Sequence, residues 1–178
     1  MSTIGKILGS IRKIPAQIRK LPLPVKTGVG LIVLDKATQY AARSANSGTS
    51  FKNWGVEIGY HLNTRGIFGR DYRPDFLMDV MSSNSYEIIK TALILGGTSA
   101  FAYLSRRSLS MVSRVGLSLF IAGSAANLFC RLLHDGVIDI AKFLLIHEYA
   151  FNWADVGITI GIPIFLIGLL TDSRSKTS

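Results

Sequence analysis

The chain has 178 residues, of which 48% are hydrophobic and only 17% are charged, and its mean hydropathy is +0.35. A soluble domain usually carries about a quarter charged residues, so this composition favours one small integral membrane domain. The net charge of +9 does not indicate a nucleic-acid-binding protein, because the basic residues are scattered between apolar runs. The single cysteine, Cys130, excludes an intrachain disulfide and leaves no cysteine spacing for a zinc site.

The first 24 residues form a basic segment. They contain five Lys or Arg residues and no acid, and apolar residues recur in them at helical spacing. A basic amphipathic segment of this kind lies in the membrane interface. Pro15 should kink or end a helix near Ile14. The segment lacks the long apolar core of a secretory signal, whereas a mitochondrial presequence has a similar composition and is an open alternative.

Four later segments are predicted to be membrane-spanning helices, since each supplies about 20 mainly apolar residues. They cover roughly residues 25–43, 86–105, 110–133 and 153–171. The second and fourth have the clearest apolar runs, and the first is the weakest because Asp35, Lys36 and Gln39 follow its apolar start. The predicted fold class is therefore an α-helical integral membrane protein, with one four-helix domain over 25–171 and a polar tail over 172–178.

The segment between spans one and two should carry a small structure on the membrane surface. Residues 51–62 contain alternating apolar and polar side chains, which indicates a pair of short strands. Residues 74–81 begin with Pro74 and have acids in their first turns, which indicates a short amphipathic helix. An ordinary extracytoplasmic loop is the alternative.

The basic residues predict which face is cytoplasmic. They are frequent in the N-terminal segment, in the turn between spans two and three and in the tail, for example at Arg106, Arg107, Arg114 and Arg174. With four spans, these regions and both termini lie on the cytoplasmic face. The segment 44–85 and the loop 134–152 then lie on the opposite face. The polar ends of spans one, three and four also converge there, so we expect the functional site on that side.

Asp139 and Asp155 are the candidate catalytic residues. Each lies beside a long apolar run, and a carboxylate at membrane depth is costly, which makes it a functional hypothesis by default. Two carboxyl groups brought close together share one proton and can activate a water molecule, as in an aspartic protease. The alternative is that both side chains lie in an aqueous loop and only keep it hydrated.

Further polar side chains lie at helical spacing near these acids. Asn127 and Arg131 are four residues apart on one face of the third span. They are predicted to line a pocket for a substrate carbonyl or a lipid ester, although Arg131 could instead extend toward the lipid interface. Asn152 lies three residues before Asp155 and could equally be the N-cap of the fourth span.

The histidines and the paired glycines do not indicate a further functional site. His134 and His147 lie in one loop, but no His-x-x-x-His pair occurs on a helix, so we expect no metal site. Gly157 and Gly161 form a small-xxx-small pattern in the fourth span, which indicates close helix packing.

Two stretches resemble a known family. Residues 126–139 (ANLFCRLLHDGVID) resemble a family segment that runs Gly-Asn, Asp-Arg, Gly and then Val-Val-Asp-Phe, and residues 151–158 (FNWADVGI) are similar to its Phe-Asn-x-Ala-Asp-x-x-Ile. The stretches around Asp35 and Asn63 match two upstream motifs more loosely. The family is the bacterial lipoprotein signal peptidase, also called signal peptidase II. The resemblance covers the chain from about residue 25 onward.

The resemblance implies a membrane aspartic endopeptidase that removes signal peptides from lipid-modified prolipoproteins. Asp139 and Asp155 would be its catalytic pair, titrating as a unit so that neither is singled out as the base. Supporting or substrate-binding roles are implied for Asp35, Asn63, Gly66, Asn127, Arg131, Asn152 and Ala154. The expected partners are lipid-modified prolipoproteins and the phospholipid membrane, with no cofactor and no metal. We expect a monomer in the bacterial cytoplasmic (inner) membrane, with a mitochondrial membrane as the alternative.

The chain also departs from the family pattern. Cys130 replaces the acid that precedes the arginine, so a partner that could hold Arg131 is missing. The other departures are Gln39 for a Lys, Ala126 for a Gly, Ile140 for a Phe, and Gly66, which is displaced by one position. An inactive relative acting as a membrane binding or assembly subunit is therefore an alternative. A small proton-coupled transporter that uses the same acids is another.

Overall fold

The computed structural model of the protein describes residues 20–44, 55–65, 71, 73–143 and 149–175. Most of the predicted basic segment, residues 1–19, lies outside the described residues. The same is true of the predicted site residue Gly66 and of His147.

Four long helices dominate the described part of the chain. They are α1 (Leu23–Ser44), α3 (Ser83–Leu104), α4 (Met111–His134) and α5 (Trp153–Ser175), and a single-turn helix, α2 (Asp75–Met78), precedes α3. Serine side chains fix the starts of two of them, because Ser82 Oγ accepts from Ser85 N and Ser110 Oγ from Ser113 N, both at 3.1 Å. The predicted short helix after Pro74 is confirmed as α2.

Two of these helices have the length and apolarity of a membrane span. Among the described residues, Met111–His134 and Trp153–Thr171 meet both conditions. Helices α1 and α3 have 22 residues each but carry charged side chains within the helix, Asp35 and Lys36 in one and Glu87 and Lys90 in the other. The protein is thus mostly helical with two candidate membrane spans, and the four-span count stays a prediction.

The long helices alternate in direction around α4. Ser118 of α4 donates a hydrogen bond to the carbonyl of Pro24 at 2.5 Å, so α1 starts beside the start of α4. Close packing of Gly168 on Ser113 places the end of α5 there as well. Asn84, at the start of α3, meets Arg131 near the end of α4. The turn at residues 105–110 therefore lies at the same end as the start of α1 and the end of α5.

Glycines allow the backbones of α4 and α5 to approach closely. A Cβ atom added to Gly116 would lie 2.7 Å from the carbonyl oxygen of Gly161, and one added to Gly161 would lie 2.7 Å from the carbonyl oxygen of Gly116. A Cβ at Gly157 would overlap the side chain of Leu31 in α1. The predicted packing role of Gly157 and Gly161 is confirmed, since small residues at such positions let helices come together.

A three-stranded antiparallel sheet covers the other end of the helices. Its strands are β1 (Val56–Asn63), β2 (Val137–Phe143) and β3 (Tyr149–Phe151), in the order β1-β2-β3. The strand predicted before span two exists as β1, but its predicted pairing within residues 51–62 was wrong, because β1 pairs with β2 from the loop before α5. Alternation identifies a strand and not its partner.

The reversal after α4 explains this pairing. Asp135 adopts a left-handed conformation with φ 55°, which ends the helix and turns the chain back. A Cβ atom on Gly136 would lie 2.8 Å from the carbonyl oxygen of Asn63, so only glycine allows β1 this close. In the resulting register, Asn63 lies opposite Val137 and His61 lies opposite Asp139.

Candidate active site

Strand β2 places Asp139 in a buried position against the helices. Its side chain is only 1% exposed, and Oδ1 accepts a hydrogen bond from Asn152 Nδ2 at 3.1 Å. Oδ2 is buried and has no hydrogen-bond partner among the described residues. Burial, and after it the negative charge of Asp155, raises the pKa of Asp139 to about 8, against the opposing effects of the nearby Asn63 side chain and the charge of Arg131.

Asp155 lies in the first turn of α5 and is held by two donors. Its Oδ1 accepts from Asn127 Nδ2 at 2.8 Å, and its Oδ2 accepts from the backbone N–H of Asn152 at 3.1 Å. The backbone N–H of Asp155 in turn donates to Asn152 Oδ1 at 2.9 Å. This is a reciprocal capping box, so Asn152 is the N-cap of α5 and also a member of the site.

One amide group links the two aspartates. Asn152 Nδ2 lies 3.1 Å from Asp139 Oδ1, 3.1 Å from Asn127 Oδ1 and 3.3 Å from the carbonyl oxygen of Ile138. Both carboxyl groups border one cavity of about 390 Å³, which Asn63, Asn127 and Arg131 also line. The fold therefore brings together the acids that the sequence places 16 residues apart on a strand and a helix.

Arg131 is enclosed by protein. Its side chain is 6% exposed, Nη1 donates to Asn84 Oδ1 at 3.1 Å, and Nη2 donates to the carbonyl of Arg65 at 2.7 Å. The interpretation in which this guanidinium extends toward lipid is therefore wrong.

Asp35 joins α1 to the start of α5. Its carboxyl group is fully buried, and Oδ1 accepts from the backbone N–H of Ala154 at 3.2 Å, next to Asp155. Oδ2 receives the ammonium of Lys36 at 3.0 Å and the amide of Gln39 at 2.9 Å. The contact with Ala154 is the kind of link that the resemblance implied for this acid.

The described hydrogen bonds of Cys130 are made to α1 and β2 and not to Arg131. Its Sγ accepts from the backbone N–H of Ile138 at 3.3 Å and lies 3.9 Å from Gln39 Oε1. The thiol thus connects α4 to α1 and β2, and Arg131 is held by other groups. Two of the departures from the family pattern, at residues 39 and 130, are in contact with each other.

Sequence reasoning missed the contribution of α3. Asn84, Glu87 and Lys90 lie within or beside a predicted span, and Glu87 and Lys90 line the cavity that holds both aspartates. The available signal was a pair of opposite charges in an otherwise apolar run, since such charges usually face the protein interior.

The family model described as signal peptidase (SPase) II matches residues 28–171, a range that contains both aspartates and the polar cluster around them. The chain belongs to the signal peptidase II family. This confirms the resemblance found in the sequence.

Individual relatives of the family align over different lengths. The lipoprotein signal peptidase of Staphylococcus carnosus is 36% identical over 94 residues, which is 52% of this chain and 58% of that protein. That of Clostridioides difficile is 33% identical over 54% of this chain and 66% of that protein, so both alignments span less than two thirds of the relative. That of Clostridium novyi is 27% identical over 80% of this chain and 94% of that protein.

Two solved bacterial membrane enzymes share the fold. One, determined in meso at 2.3 Å resolution, has a TM-score of 0.67 and 24% identity, over 88% of this chain and 93% of that one. The other, at 1.9 Å resolution, has a TM-score of 0.63 and 25% identity, over 86% of this chain and 96% of that one.

Proposed function

We propose that this protein is an aspartic endopeptidase of the bacterial cytoplasmic membrane that removes signal peptides from lipid-modified prolipoproteins. One observation carries the proposal: in a member of the signal peptidase II family, two buried carboxyl groups border one cavity, and Asn152 donates to both, from its side-chain amide to Asp139 and from its backbone N–H to Asp155. Membership in this family does not favour a proton-coupled transporter.

The surroundings of the two acids support different protonation states. Asp155 accepts two N–H groups, which stabilise a carboxylate. Asp139 accepts a single N–H group, from the side-chain amide of Asn152 at Oδ1, and its pKa is raised to about 8. Asp139 is therefore assigned the shared proton near neutral pH, and Asp155 is assigned the role of general base.

Peptide-bond hydrolysis can proceed from these protonation states and return both acids to them. Asp155 takes a proton from a water molecule, whose oxygen attacks the scissile carbonyl carbon, while Asp139 gives its proton to the carbonyl oxygen. The C–N bond then breaks as Asp155 passes its proton to the leaving nitrogen, and Asp139 regains a proton from the hydroxyl group as the new carboxyl forms. Asp139 Oδ2, which has no partner among the described residues, is the atom assigned to the substrate carbonyl.

Neighbouring polar groups are assigned to substrate binding. Asn63, Asn127 and Arg131 line the same cavity as the two acids, and their donors suit the backbone carbonyls of an extended peptide or the ester groups of its lipid. Asn152 and Asp35 are assigned to holding the start of α5, and with it Asp155.

All four long helices are proposed to cross the membrane, with both termini in the cytoplasm. At 1.5 Å per residue, helices of 22 to 24 residues are about 33–36 Å long, which matches a hydrocarbon core of about 30 Å. The charged groups of α1 and α3 suit this placement, because Asp35 and Glu87 are buried in the protein.

A cleavage assay tests the activity. The purified protein in detergent micelles is incubated with a diacylglyceryl-modified prolipoprotein. The control is the same prolipoprotein without the lipid, and the products are identified by mass spectrometry. We expect cleavage of the modified substrate only, with or without a chelator. If a characterised lipoprotein signal peptidase cleaves the substrate and this protein does not, the enzyme proposal fails and the protein is a binding subunit.

A further inference from the structure

We infer that Asn84 is a positioning residue for Arg131 and that α3, through Asn84 and Glu87, braces this arginine at the wall of the cavity. The inference deepens the proposed function, because Arg131 is assigned there to substrate binding. Asn84 has no assigned part in catalysis or substrate binding, yet it is only 6% exposed and lies at the start of α3.

Both ends of the Asn84 amide are matched to their partners. Nδ2 donates to Asp135 Oδ1 at 2.7 Å, and Oδ1 accepts from Arg131 Nη1 at 3.1 Å. A carboxylate only accepts and a guanidinium only donates, so this orientation of the amide is the one that satisfies both. Asn84 therefore joins the end of α4, at Asp135, to the guanidinium one turn earlier.

Glu87 supplies the charge in this brace. It lies three residues after Asn84 on the same face of α3, it is 4% exposed, and its carboxylate is paired with Lys90 at 2.5 Å. Glu87 and Arg131 line the same cavity, and Glu87 shares the face of α3 from which Asn84 binds the guanidinium, so its negative charge favours Arg131 at α3.

This placement matters for the site because Arg131 lines the cavity beside Asp139. A guanidinium that paired with Asp139 would hold that carboxyl group in its charged form. It would also withdraw its N–H groups from a bound substrate. Holding Arg131 on α3 leaves the proton on Asp139 and keeps the arginine in the wall of the cavity.

A double-mutant cycle measures whether Asn84 acts through Arg131. With the lipid-modified prolipoprotein, Asn84→Ala should raise KM about tenfold, as for the loss of a hydrogen bond to a charged group, with kcat changed less than about threefold. In the Arg131→Ala background the same change should alter KM less than about twofold. An equal factor in both backgrounds would show that Asn84 acts independently, and would overturn the inference.

A swapped pair gives a second, conservative test. In Asn84→Asp/Asp135→Asn, the new carboxylate accepts from Arg131 and from the new amide, and asparagine suits the left-handed conformation at position 135. KM should stay within about twofold of the wild type. A rise of about tenfold or more would overturn the inference, and this variant also decides the matter if Asn84→Ala does not fold.

Leu93→Ala is the matched control on the same helix. This side chain is 71% exposed on α3, so its KM should equal that of the wild type. The wild-type reference separates the two proposals. If the wild type has no turnover, the proposed function is refuted. The same double-mutant cycle is then measured with the Kd of the lipid-modified substrate in place of KM. With an active wild type, a failed cycle refutes only the role of Asn84.

Discussion

At the scale of single residues, the two carboxyl groups of the site have different surroundings. Asp155 is fixed by Asn127 and by the N-cap of its own helix, and both contacts favour a carboxylate. Asp139 lies on a strand, is 1% exposed and leaves one carboxyl oxygen without a partner among the described residues. The two carboxyl groups thus differ in the number of N–H groups that stabilise their charged forms, and such a difference assigns separate acid and base roles to a pair.

Removing either carboxyl group should abolish turnover. Asp139→Asn cannot deliver the shared proton, and Asp155→Asn cannot accept one from water, so each should lower kcat by at least about a hundredfold. Substrate Kd should stay within about threefold, because the chemical step is lost and the binding groups remain. Single-turnover assays and binding measurements separate the two quantities.

Asp79→Asn is the control for this pair of variants, since Asp79 is an exposed acid at the end of α2 and should tolerate the change. Turnover near the wild-type rate in either Asp139→Asn or Asp155→Asn would rule out the two-aspartate mechanism.

The raised pKa of Asp139 predicts how activity depends on pH. The mechanism needs this carboxyl group protonated, and it is protonated below its pKa of about 8. The value of kcat/KM should therefore hold on the acid side of this limb and fall about tenfold per pH unit above it. A pH–rate profile measures the limb, and circular dichroism at each pH shows that the protein stays folded. A flat profile up to pH 10 would mean that the proton on Asp139 is not required.

At the scale of helices and strands, the contact between α4 and α5 determines the site. Asn127 reaches Asp155 across it, and a Cβ atom at Gly123 would overlap the carbonyl oxygen of Ala154, which precedes Asp155. The two helices carry the site because their backbones are this close. Larger residues at the contact should move Asp155 relative to Asn127.

Gly116→Ala should destabilise the protein. The added methyl group would lie 2.7 Å from the carbonyl oxygen of Gly161, and backbone atoms cannot yield as a flexible side chain does. The expected cost is roughly 1–3 kcal/mol, observed as a lower Tm in detergent. Gly96→Ala is the matched control, because nothing lies within 4 Å of its added methyl group and alanine favours a helix. Equal Tm values for the two variants would contradict the packing described for α4 and α5.

The strands show what sequence patterns can and cannot give. The alternation around Val56–Asn63 predicted a strand, and the residues at Pro74 predicted a helix start, because both signals are local. The partner of β1 depends on the left-handed turn at Asp135 and on the absence of a side chain at Gly136, which act between distant segments. For the same reason, β2 was not recognised although it carries Asp139.

At the scale of the whole molecule, motif spacing predicted five of the polar residues that line the cavity. Asn63, Asn127, Arg131, Asp139 and Asp155 were chosen from the sequence, and all of them line it. Asn84 and Glu87 were missed because their partners, Asp135 and Arg131, are more than 40 residues away in sequence. Their contribution to the site can be recognised only from the packing of α3 beside α4, which brings them to these partners.

The positions of the basic residues predict how the molecule lies in the membrane. Arg106, Arg107 and Arg114 are exposed at the end of the helices that is opposite the sheet, together with the start of α1. Cytoplasmic regions carry an excess of such residues, so this end should face the cytoplasm and the cavity should face outward. Residues before and after α3 must then lie on opposite sides of the membrane.

Cysteine labelling checks this arrangement, and Cys130→Ser provides a background without other thiols. In spheroplasts, a membrane-impermeant maleimide should label Asp75→Cys, which precedes α3 and is exposed. It should label Arg107→Cys, in the turn after α3, only once the membrane is permeabilised. Labelling of both from outside, or of neither, would show that α3 does not cross, and the opposite pattern would place the cavity on the cytoplasmic side. Because α3 contains Glu87 and Lys90, its crossing depends on the burial of Glu87 and on the pairing of Glu87 with Lys90, and this measurement tests that part of the four-span proposal.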